Sequence, residues 1–191
     1  SARLLVDQGA LNQPLHRQVK NFVEFCEPGD VIVVNDTKVI PARIRLVRKS
    51  GGAAEVLLLE QSASTPSLWE ALIRPAKRLK IGEVLFAADG RELVEIGERT
   101  LAGDTFEIKL RCESQSELEE MLMQYGEMPL PPYITAPLTA SDRYQTVYAN
   151  RPASAAAPTA GLHFTPTLIE ALKSMGVNFL TVDLTVGLDT F

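Results

Sequence analysis

The segment from Ala157 to Phe164 contains the residue types best suited to chemistry. It reads Ala-Pro-Thr-Ala-Gly-Leu-His-Phe, and its small side chains let a ligand approach the backbone closely. Thr159 offers a hydroxyl, and His163 offers an imidazole, the type of side chain best suited to proton transfer. The loop from Pro158 to Gly161 leads into a predicted helix, and free amides at a helix start favour a carboxylate or phosphate. Tight packing and a structural histidine are the alternatives.

A second polar segment, Asn35-Asp36-Thr37-Lys38, follows the β-branched run from Val31 to Val34. Such a run predicts a strand that is buried on both faces, as in a parallel sheet. Ligands of open α/β sheets bind outside the carboxyl ends of the strands, so these four residues occupy a favoured site position. Structural capping of the strand end by Asn35 and Asp36 is the alternative.

A third polar segment runs from Ser141 to Tyr148 and places an acid, a base, two phenols and an amide close together. Its candidates are Asp142, Tyr144 and Gln145. The alternatives are a surface turn at Asp142 and one face of a helical turn at Tyr144 and Tyr148.

Several enzyme classes have no support in the sequence. It contains no Gly-x-Ser-x-Gly, P-loop, Gly-x-Gly-x-x-Gly or metal-ligand spacing. The two cysteines, Cys26 and Cys112, lie far apart without a Cys-x-x-Cys motif. We therefore do not expect a hydrolase, an NTPase, a Rossmann enzyme or a metalloenzyme.

Composition indicates a globular protein. The chain has 191 residues, of which 46% are hydrophobic and 23% charged, which is enough for a packed core. It has no apolar run near the roughly 20 residues that a membrane helix needs. The N-terminus also lacks the pattern of a signal peptide. We expect a soluble, unsecreted protein.

Charge is unevenly distributed. The net charge of −5 argues against coating nucleic acid by charge alone. However, the charged residues between Lys38 and Lys49 are all basic, and Arg74 to Lys80 contains a second basic group. Acidic residues collect between Glu113 and Glu127. This pattern would let a polyanion dock on one side, with plain solvated faces as the alternative.

Hydrophobic periodicity predicts the elements that must position these residues. Apolar residues from Leu15 to Cys26 recur at helical spacing and predict an amphipathic helix. Thr165 is the expected N-cap of a later helix that begins at Pro166 and stops at Gly176. A second buried strand, from Val177 to Asp183, should follow it.

Short alternating strands are predicted between these α/β parts. They include Arg43–Leu46, Trp69–Arg74 and Phe106–Arg111, and glycine-containing turns separate them. Their spacing predicts a small antiparallel barrel or sandwich inserted into the α/β unit. The proline-rich segment from Met128 to Tyr133 is the predicted return linker.

Four segments together resemble a known family. In their order and separations they are similar to the S-adenosylmethionine:tRNA ribosyltransferase-isomerase family of queuosine synthesis. The segments are Val33–Arg43, Gly126–Ile134, Asp142–Ala149 and Ala156–Thr165. The resemblance implies an α/β domain with an inserted small antiparallel β-barrel domain. The α/β domain would comprise residues 1–41 and 133–191, and the barrel residues 42–132. Relative to the family, the chain is expected to be truncated at both ends.

The resemblance also implies a reaction. The family moves the ribosyl moiety of S-adenosylmethionine onto 7-aminomethyl-7-deazaguanine in tRNA and isomerises it to epoxyqueuosine, releasing adenine and methionine. The expected partners are tRNA and S-adenosylmethionine, the latter as a consumed co-substrate. No prosthetic group, metal or membrane is expected, and the expected location is cytoplasmic.

The chemistry of this reaction suggests roles for the candidate residues. It needs a base beside the sulfonium carbon, an acid for the departing adenine and fixed charges for the methionine end. We expect His163 to be the base or proton shuttle and Asp36 or Asp142 to be the acid or sulfonium partner. The amides from Thr159 to Gly161 would hold the carboxylate. The substrate-binding candidates are Asn35, Thr37, Tyr144, Gln145, Pro158, Thr159, Ala160 and Gly161. The candidate tRNA contacts are Lys38, Arg43, Arg74 and Lys77.

Three positions depart from the family pattern. Ala153 and Asp189 stand where glycines are usual, and Thr185 stands in place of an imidazole. They motivate a second hypothesis, a non-catalytic relative that binds tRNA or a nucleotide. A third hypothesis is an enzyme that acts on another nucleoside, because a fold does not determine a function.

Overall fold

The computed structural model describes residues 2–10, 12–101, 103–129, 144–154 and 157–184, with the backbone alone for 151–154. Its strands are β1 (Arg3–Val6), β2 (Leu15–Gln18), β3 (Val31–Asn35), β4 (Thr37–Val39), β5 (Arg43–Arg48), β6 (Ala53–Gln61), β7 (Leu68–Arg74), β8 (Val84–Phe86), β9 (Glu92–Arg99), β10 (Phe106–Leu110), β11 (Gly126–Glu127), β12 (Arg151–Ser154) and β13 (Asn178–Val182). The helices are α1 (Gln115–Tyr125), α2 (Pro166–Ser174) and the 3₁₀ helices Val19–Phe25 and Thr159–His163.

The described residues divide into two compact units. The first, the α/β unit, comprises 2–38, 144–151 and 157–184, and the second, the barrel unit, comprises 39–129 and 152–154. The domain boundary that was predicted near residue 132 lies outside the described residues, so the predicted domain limits stay a prediction.

The α/β unit contains a parallel pair of strands, as predicted. β3 and β13 pair in register from Val31 opposite Asn178 to Asn35 opposite Val182. The prediction that both faces are buried is wrong, because the side chains of Val31 and Val33 are 53% and 58% exposed. α2 and the 3₁₀ helix Val19–Phe25 pack with Ile32 and Phe179 on one face and leave the alternate residues on the other face uncovered.

The predicted helix from Leu15 to Cys26 is partly wrong. Leu15–Gln18 is strand β2, which pairs antiparallel with β1. Val19–Phe25 is a 3₁₀ helix that begins with a reciprocal cap between Gln18 and Asn21. Pairing with a strand that lies earlier in the chain overrides the helical spacing of the apolar residues, which is a weak preference on its own.

α2 has the ends that the sequence predicts. The Thr165 hydroxyl accepts a hydrogen bond from the Leu168 amide at 3.2 Å, and Pro166 takes the first helical position. Gly176 follows the helix with a φ of 89°, a left-handed conformation that glycine adopts without strain. These two signals fix where the chain enters and leaves α2.

The barrel unit contains a closed six-stranded antiparallel barrel. Its strands follow the order β5-β6-β7-β10-β9-β8, and β8 pairs back onto β5. Alternate residues point inward and form the core, which includes Ile44, Leu58, Leu85, Leu93, Ile96, Ile108 and Leu110. The predicted fold class, an α/β domain with a small antiparallel β-barrel, is confirmed.

Candidate active site

The carboxyl ends of β3 and β13 form one edge of the α/β unit. At the opposite edge the Gly29 amide donates to the Gly176 carbonyl at 2.9 Å, and at the carboxyl edge the Asp36 amide donates to the Val182 carbonyl at 3.2 Å. Because α2 leads through Gly176 into β13, the start of α2 lies toward the carboxyl edge. The segment Thr159–His163, which precedes α2, is therefore positioned there as well.

Asn35 and Thr37 join the ends of the two strands. The Asn35 amide nitrogen donates to the Leu184 carbonyl at 2.9 Å, and its Oδ1 accepts from the Leu184 amide at 3.3 Å and from the Thr37 amide at 3.1 Å. The Thr37 hydroxyl also lies within hydrogen-bond distance of the Asn35 Oδ1. This network uses both ends of the Asn35 amide, so its direct effect is to hold the strand ends together.

Asp36 lies between these two residues in a different environment. Its side chain is only 8% exposed, and its backbone carbonyl accepts a hydrogen bond from the Asn150 amide at 2.8 Å. Among the described residues, no hydrogen bond or ion pair reaches its carboxylate. A buried carboxylate normally has a partner, so Asp36 is well suited to meet a cationic ligand at this edge.

The segment Tyr144–Asn150 lies beside Asp36 through the Asn150 contact. Tyr144 is buried, with 4% of its surface exposed, and Gln145 is half-buried. Thr146 is also buried, and its hydroxyl has no hydrogen-bond partner among the residues that the structure describes. The candidate Asp142 lies outside the described residues.

Pro158 to Gly161 form a tight turn. The Gly161 amide donates to the Pro158 carbonyl at 2.8 Å, and the Phe164 amide donates to the Gly161 carbonyl at 3.1 Å. The Gly161 amide is thus occupied, which leaves the amides of Thr159 and Ala160 as candidates for a carboxylate. Pro158 is half-buried, whereas Thr159 and Ala160 are exposed.

Gly161 does not need a positive φ, although the sequence allowed one. The glycines with positive φ among the described residues do not include it. Glycine is needed at position 161 because there is no space for a side chain. A β-carbon there would clash with the Tyr148 hydroxyl and lie 3.0 Å from Thr146 Cγ2. The sequence does not reveal this role of Tyr148 and Thr146, because no sequence signal distinguishes a packing glycine from a turn glycine.

His163 is exposed and lines a pocket of about 440 Å³. The other lining residues are Ala2, Lys20, Val23, Thr165, Thr167, Leu168 and Ala171. The pocket therefore combines an imidazole, the Lys20 ammonium group and the positive end of the α2 dipole. Lys20 is not among the candidates that the sequence suggests, and only the folded chain brings it beside His163.

The candidate tRNA contacts are distributed over both units. Lys38 lies in the α/β unit and is exposed, and Arg74 and Lys77 are exposed in the barrel unit. Arg43 is half-buried, and its Nε lies 3.9 Å from a Glu55 carboxylate oxygen.

The segment from Lys38 to Lys49 is less positive than its sequence suggests. Arg45 Nε lies 3.1 Å from Glu127, and Arg48 Nε lies 2.6 Å from Glu83. Arg43 faces Glu55, as described above. Each of the three arginines of the segment therefore lies near a glutamate that is outside the segment. This pairing could not be foreseen from a run of basic residues.

Arg48 organises the loop between β7 and β8. Its guanidinium donates to both Glu83 carboxylate oxygens, at 2.6 and 3.0 Å, and to the Arg78 carbonyl at 2.9 Å. Glu83 also accepts from the Lys80 amide at 3.1 Å. These hydrogen bonds, with the Arg48 charge, hold the pKa of Glu83 below its usual range. The loop is held by its backbone, which leaves the Lys77, Arg78 and Lys80 side chains exposed.

The described residues contain no cluster of three or more histidine, cysteine, aspartate or glutamate side chains that could hold a metal ion. Within the same residues, no helix is both long enough and apolar enough to span a membrane.

Comparison with known proteins gives a consistent result over the whole chain. The family model described as queuosine biosynthesis protein matches residues 1–191. The chain is 46% identical over 191 residues to the S-adenosylmethionine:tRNA ribosyltransferase-isomerase of Desulforamulus reducens and 44% identical to that of Staphylococcus aureus. These alignments cover 100% of this chain and 54% of each relative, so the chain spans about half the length of the curated relatives it matches.

A solved structure is also similar. A crystal structure of S-adenosylmethionine tRNA ribosyltransferase from Thermotoga maritima aligns with 28% identity and a TM-score of 0.40, covering 97% of this chain and 51% of that one.

Proposed function

The chain belongs to the queuosine biosynthesis protein family, and from this membership we propose that it is part of an S-adenosylmethionine:tRNA ribosyltransferase-isomerase. The proposal rests on one observation, the 46% identity over all 191 residues to a relative with that name. The protein would transfer and isomerise the ribosyl moiety of S-adenosylmethionine onto 7-aminomethyl-7-deazaguanine in tRNA. The product would be epoxyqueuosine in tRNA, with adenine and methionine released.

S-adenosylmethionine would bind at the carboxyl edge of β3 and β13. Its sulfonium is a fixed positive charge, and Asp36 is a nearly buried carboxylate to which no described residue is paired. In such a partly dehydrated place, opposite charges attract more strongly than in water. Asp36 is therefore proposed either to contact the sulfonium or to act as the acid. Asp142 is the other candidate for these roles.

His163 is the proposed base for the proton beside the sulfonium carbon. It is exposed in its pocket, so a substrate can reach the imidazole. An imidazole can accept a proton at one nitrogen and donate one from the other, which suits proton transfer in either direction. Lys20 and the start of α2 add positive charge to the same pocket, which favours an anionic substrate group there.

The methionine carboxylate is proposed to bind the turn that begins at Pro158. The Gly161 amide is occupied within the turn, so the amides of Thr159 and Ala160 carry this proposal. Asn35 and Thr37 act by fixing the strand ends beside the site. Tyr144 and Gln145 are proposed to form the wall on the other side of Asp36.

tRNA is the proposed partner, and its phosphates are the groups that the exposed cations would contact. Lys77 and Arg74 are the strongest candidates in the barrel unit, and Lys38 is the candidate in the α/β unit. Arg43 is a weaker candidate for a phosphate contact, because its guanidinium already faces the Glu55 carboxylate. Phosphate contacts would position the tRNA without reading its sequence. Because tRNA is the proposed substrate, we also propose a cytoplasmic location.

The test is a reconstituted reaction. Full-length protein is mixed with S-adenosylmethionine and tRNA bearing 7-aminomethyl-7-deazaguanine, and the nucleosides of the tRNA are analysed by mass spectrometry. We expect epoxyqueuosine together with one adenine per modified tRNA. Salt-dependent tRNA binding without adenine release would instead identify a non-catalytic relative. Adenine release without modified tRNA would indicate another nucleoside substrate.

A further inference from the structure

Gly161 touches Tyr148 so closely that no larger residue fits. A β-carbon on Gly161 would clash with the Tyr148 hydroxyl, and it would lie 3.3 Å from Tyr148 Cζ and 3.0 Å from Thr146 Cγ2. Carbon atoms in good packing contact lie about 3.5–4.0 Å apart. The turn therefore rests directly on the Tyr148 side chain.

Tyr148 also contacts the other end of the same turn. Its ring meets the Phe164 ring edge to face, with centroids 6.4 Å apart and an interplanar angle of 68°. Phe164 makes two more edge-to-face contacts, with Phe22 at 6.0 Å and with Phe179 at 6.3 Å. Phe164 is thus anchored to the 3₁₀ helix Val19–Phe25 and to β13, and Tyr148 is the third ring that it contacts.

His163 lies between the two residues that Tyr148 contacts. Gly161 is two positions before it, and Phe164 is the next residue. Burial raises the pKa of the Tyr148 phenol, which keeps it protonated at neutral pH. Tyr148 therefore adds no charge beside the imidazole and acts through its shape.

We propose that Tyr148 is the positioning residue of His163. By its contacts with Gly161 and Phe164 it fixes the turn and so sets the direction of the imidazole in the pocket that Lys20 and Thr165 also line. The catalytic part of this inference rests on the function proposed above. The structural part, a contact that fixes the imidazole, holds for whatever reaction His163 serves.

The decisive comparison uses four variants of the 191-residue chain. G161A adds the clashing methyl group, Y148F removes the hydroxyl, and G161A/Y148F combines the two. G52A is the matched control, because a β-carbon on Gly52 would meet Arg48 Cδ at an ordinary 3.5 Å. Thermal unfolding should show a lower midpoint for G161A, a largely restored midpoint for G161A/Y148F, and little change for Y148F and G52A.

The imidazole itself can be observed by NMR without any activity. The chain has 2 histidines, so His16 serves as an internal reference for His163. We expect G161A to shift the His163 ring signals and G161A/Y148F to return them toward their original positions, while the His16 signals stay constant. His163 signals that do not move in G161A, or that move equally in the double variant, would overturn the proposal.

A further variant covers the case in which G161A does not fold. Y148L removes both the ring and the hydroxyl without creating a clash, and it should shift the His163 signals, whereas Y148F should not. Unchanged His163 signals in Y148L would also overturn the proposal.

Activity then tests the catalytic part. In the full-length protein, G161A should lower kcat for adenine release by about a hundred-fold, the cost of misplacing a catalytic group by about 1 Å. KM for S-adenosylmethionine should rise as well, because the Thr159 and Ala160 amides that are proposed to bind its carboxylate lie in the same turn. Y148F should restore much of kcat in the G161A background. F164L removes the ring that Tyr148 contacts. If F164L lowers both kcat and the unfolding midpoint but leaves the His163 signals unchanged, the contact between Tyr148 and Phe164 has a merely structural role. Absence of adenine release by the unmodified protein would reject the proposed function and leave the NMR result standing.

Discussion

Asp36 and His163, the two described candidates for proton and charge chemistry, lie in opposite environments. Asp36 as a whole residue is only 8% exposed, whereas His163 is exposed in its pocket. A nearly buried charge interacts strongly with a ligand that displaces the remaining water, and an exposed imidazole can exchange protons freely. Substitution of His163 should therefore affect mainly turnover, whereas substitution of Asp36 should affect mainly the binding of the sulfonium.

Replacement of His163 by alanine should abolish most catalysis and spare binding. We expect adenine release to fall by about a hundred- to ten-thousand-fold, the usual contribution of a general base, while S-adenosylmethionine binding stays measurable by calorimetry. H16A is the matched control, since His16 lies exposed on β2. Near-normal turnover in H163A would remove His163 from the mechanism.

Replacement of Asp36 by asparagine should weaken the binding of the sulfonium. The substitution keeps the shape and removes the charge, so kcat/KM for S-adenosylmethionine should fall by about ten- to a hundred-fold, the worth of one contact to a charged group. S-adenosylhomocysteine, which lacks the positive charge, should bind D36N and the unmodified protein almost equally. D104N, at an exposed aspartate in the barrel unit, is the control. Equal loss of affinity for both ligands would contradict a charge interaction.

The conformation of the loop between β7 and β8 depends on the ion pair between Arg48 and Glu83. The side chains of Arg48 and Glu83 are 21% and 18% exposed, which shields the pair from solvent more than a surface pair. Because the same groups also bind the backbone at Arg78 and Lys80, loss of either charge should loosen the loop.

This ion pair should give stability a specific pH dependence. The folded-state pKa of Glu83 is lowered by Arg48, so the pair stabilises the fold above the usual glutamate pKa of about 4.3. Its contribution is lost as the pH falls through the lower folded-state pKa. In urea unfolding, E83Q should be less stable than the unmodified chain at pH 7, and the difference should shrink below pH of about 4. E127Q, which breaks the exposed pair with Arg45, should change stability little.

The sequence predicts elements well where local signals determine them. The ends of α2 follow from Thr165, Pro166 and Gly176, which act within a few residues of one another. The β2 segment was misassigned because its pairing with β1 comes from outside the local window. In the candidate site, His163 and Asp36 are recognisable by residue type, but the role of Gly161 depends on Tyr148, and only the folded chain brings these two together.

At the scale of the whole molecule, charge is distributed differently from its distribution in the sequence. Arg43, Arg45 and Arg48 face acids, whereas Lys77, Arg78 and Lys80 remain exposed on one loop. The net charge of −5 gives no general attraction to tRNA, so the proposed binding of tRNA would depend on a few local contacts.

Salt dependence can count those contacts. If Lys77 binds a phosphate, K77A should reduce the slope of log binding constant against log salt concentration by about 1. K109A, which removes a charge opposite Glu95 on the barrel wall, should leave the slope unchanged. Equal slopes for K77A and the unmodified protein would place Lys77 outside the tRNA interface.

The closed barrel has a practical consequence for protein engineering. Each of its six strands is hydrogen-bonded to a neighbour on both sides, so the described part of the barrel leaves little free strand edge on which foreign β-structure could grow. The hairpin between β5 and β6 turns at Gly51 and Gly52, which are exposed. A short epitope tag or fluorophore peptide inserted at this tip would extend into solvent without interrupting a strand. The barrel thus provides a labelling site within the unit that does not contain Asp36 or His163.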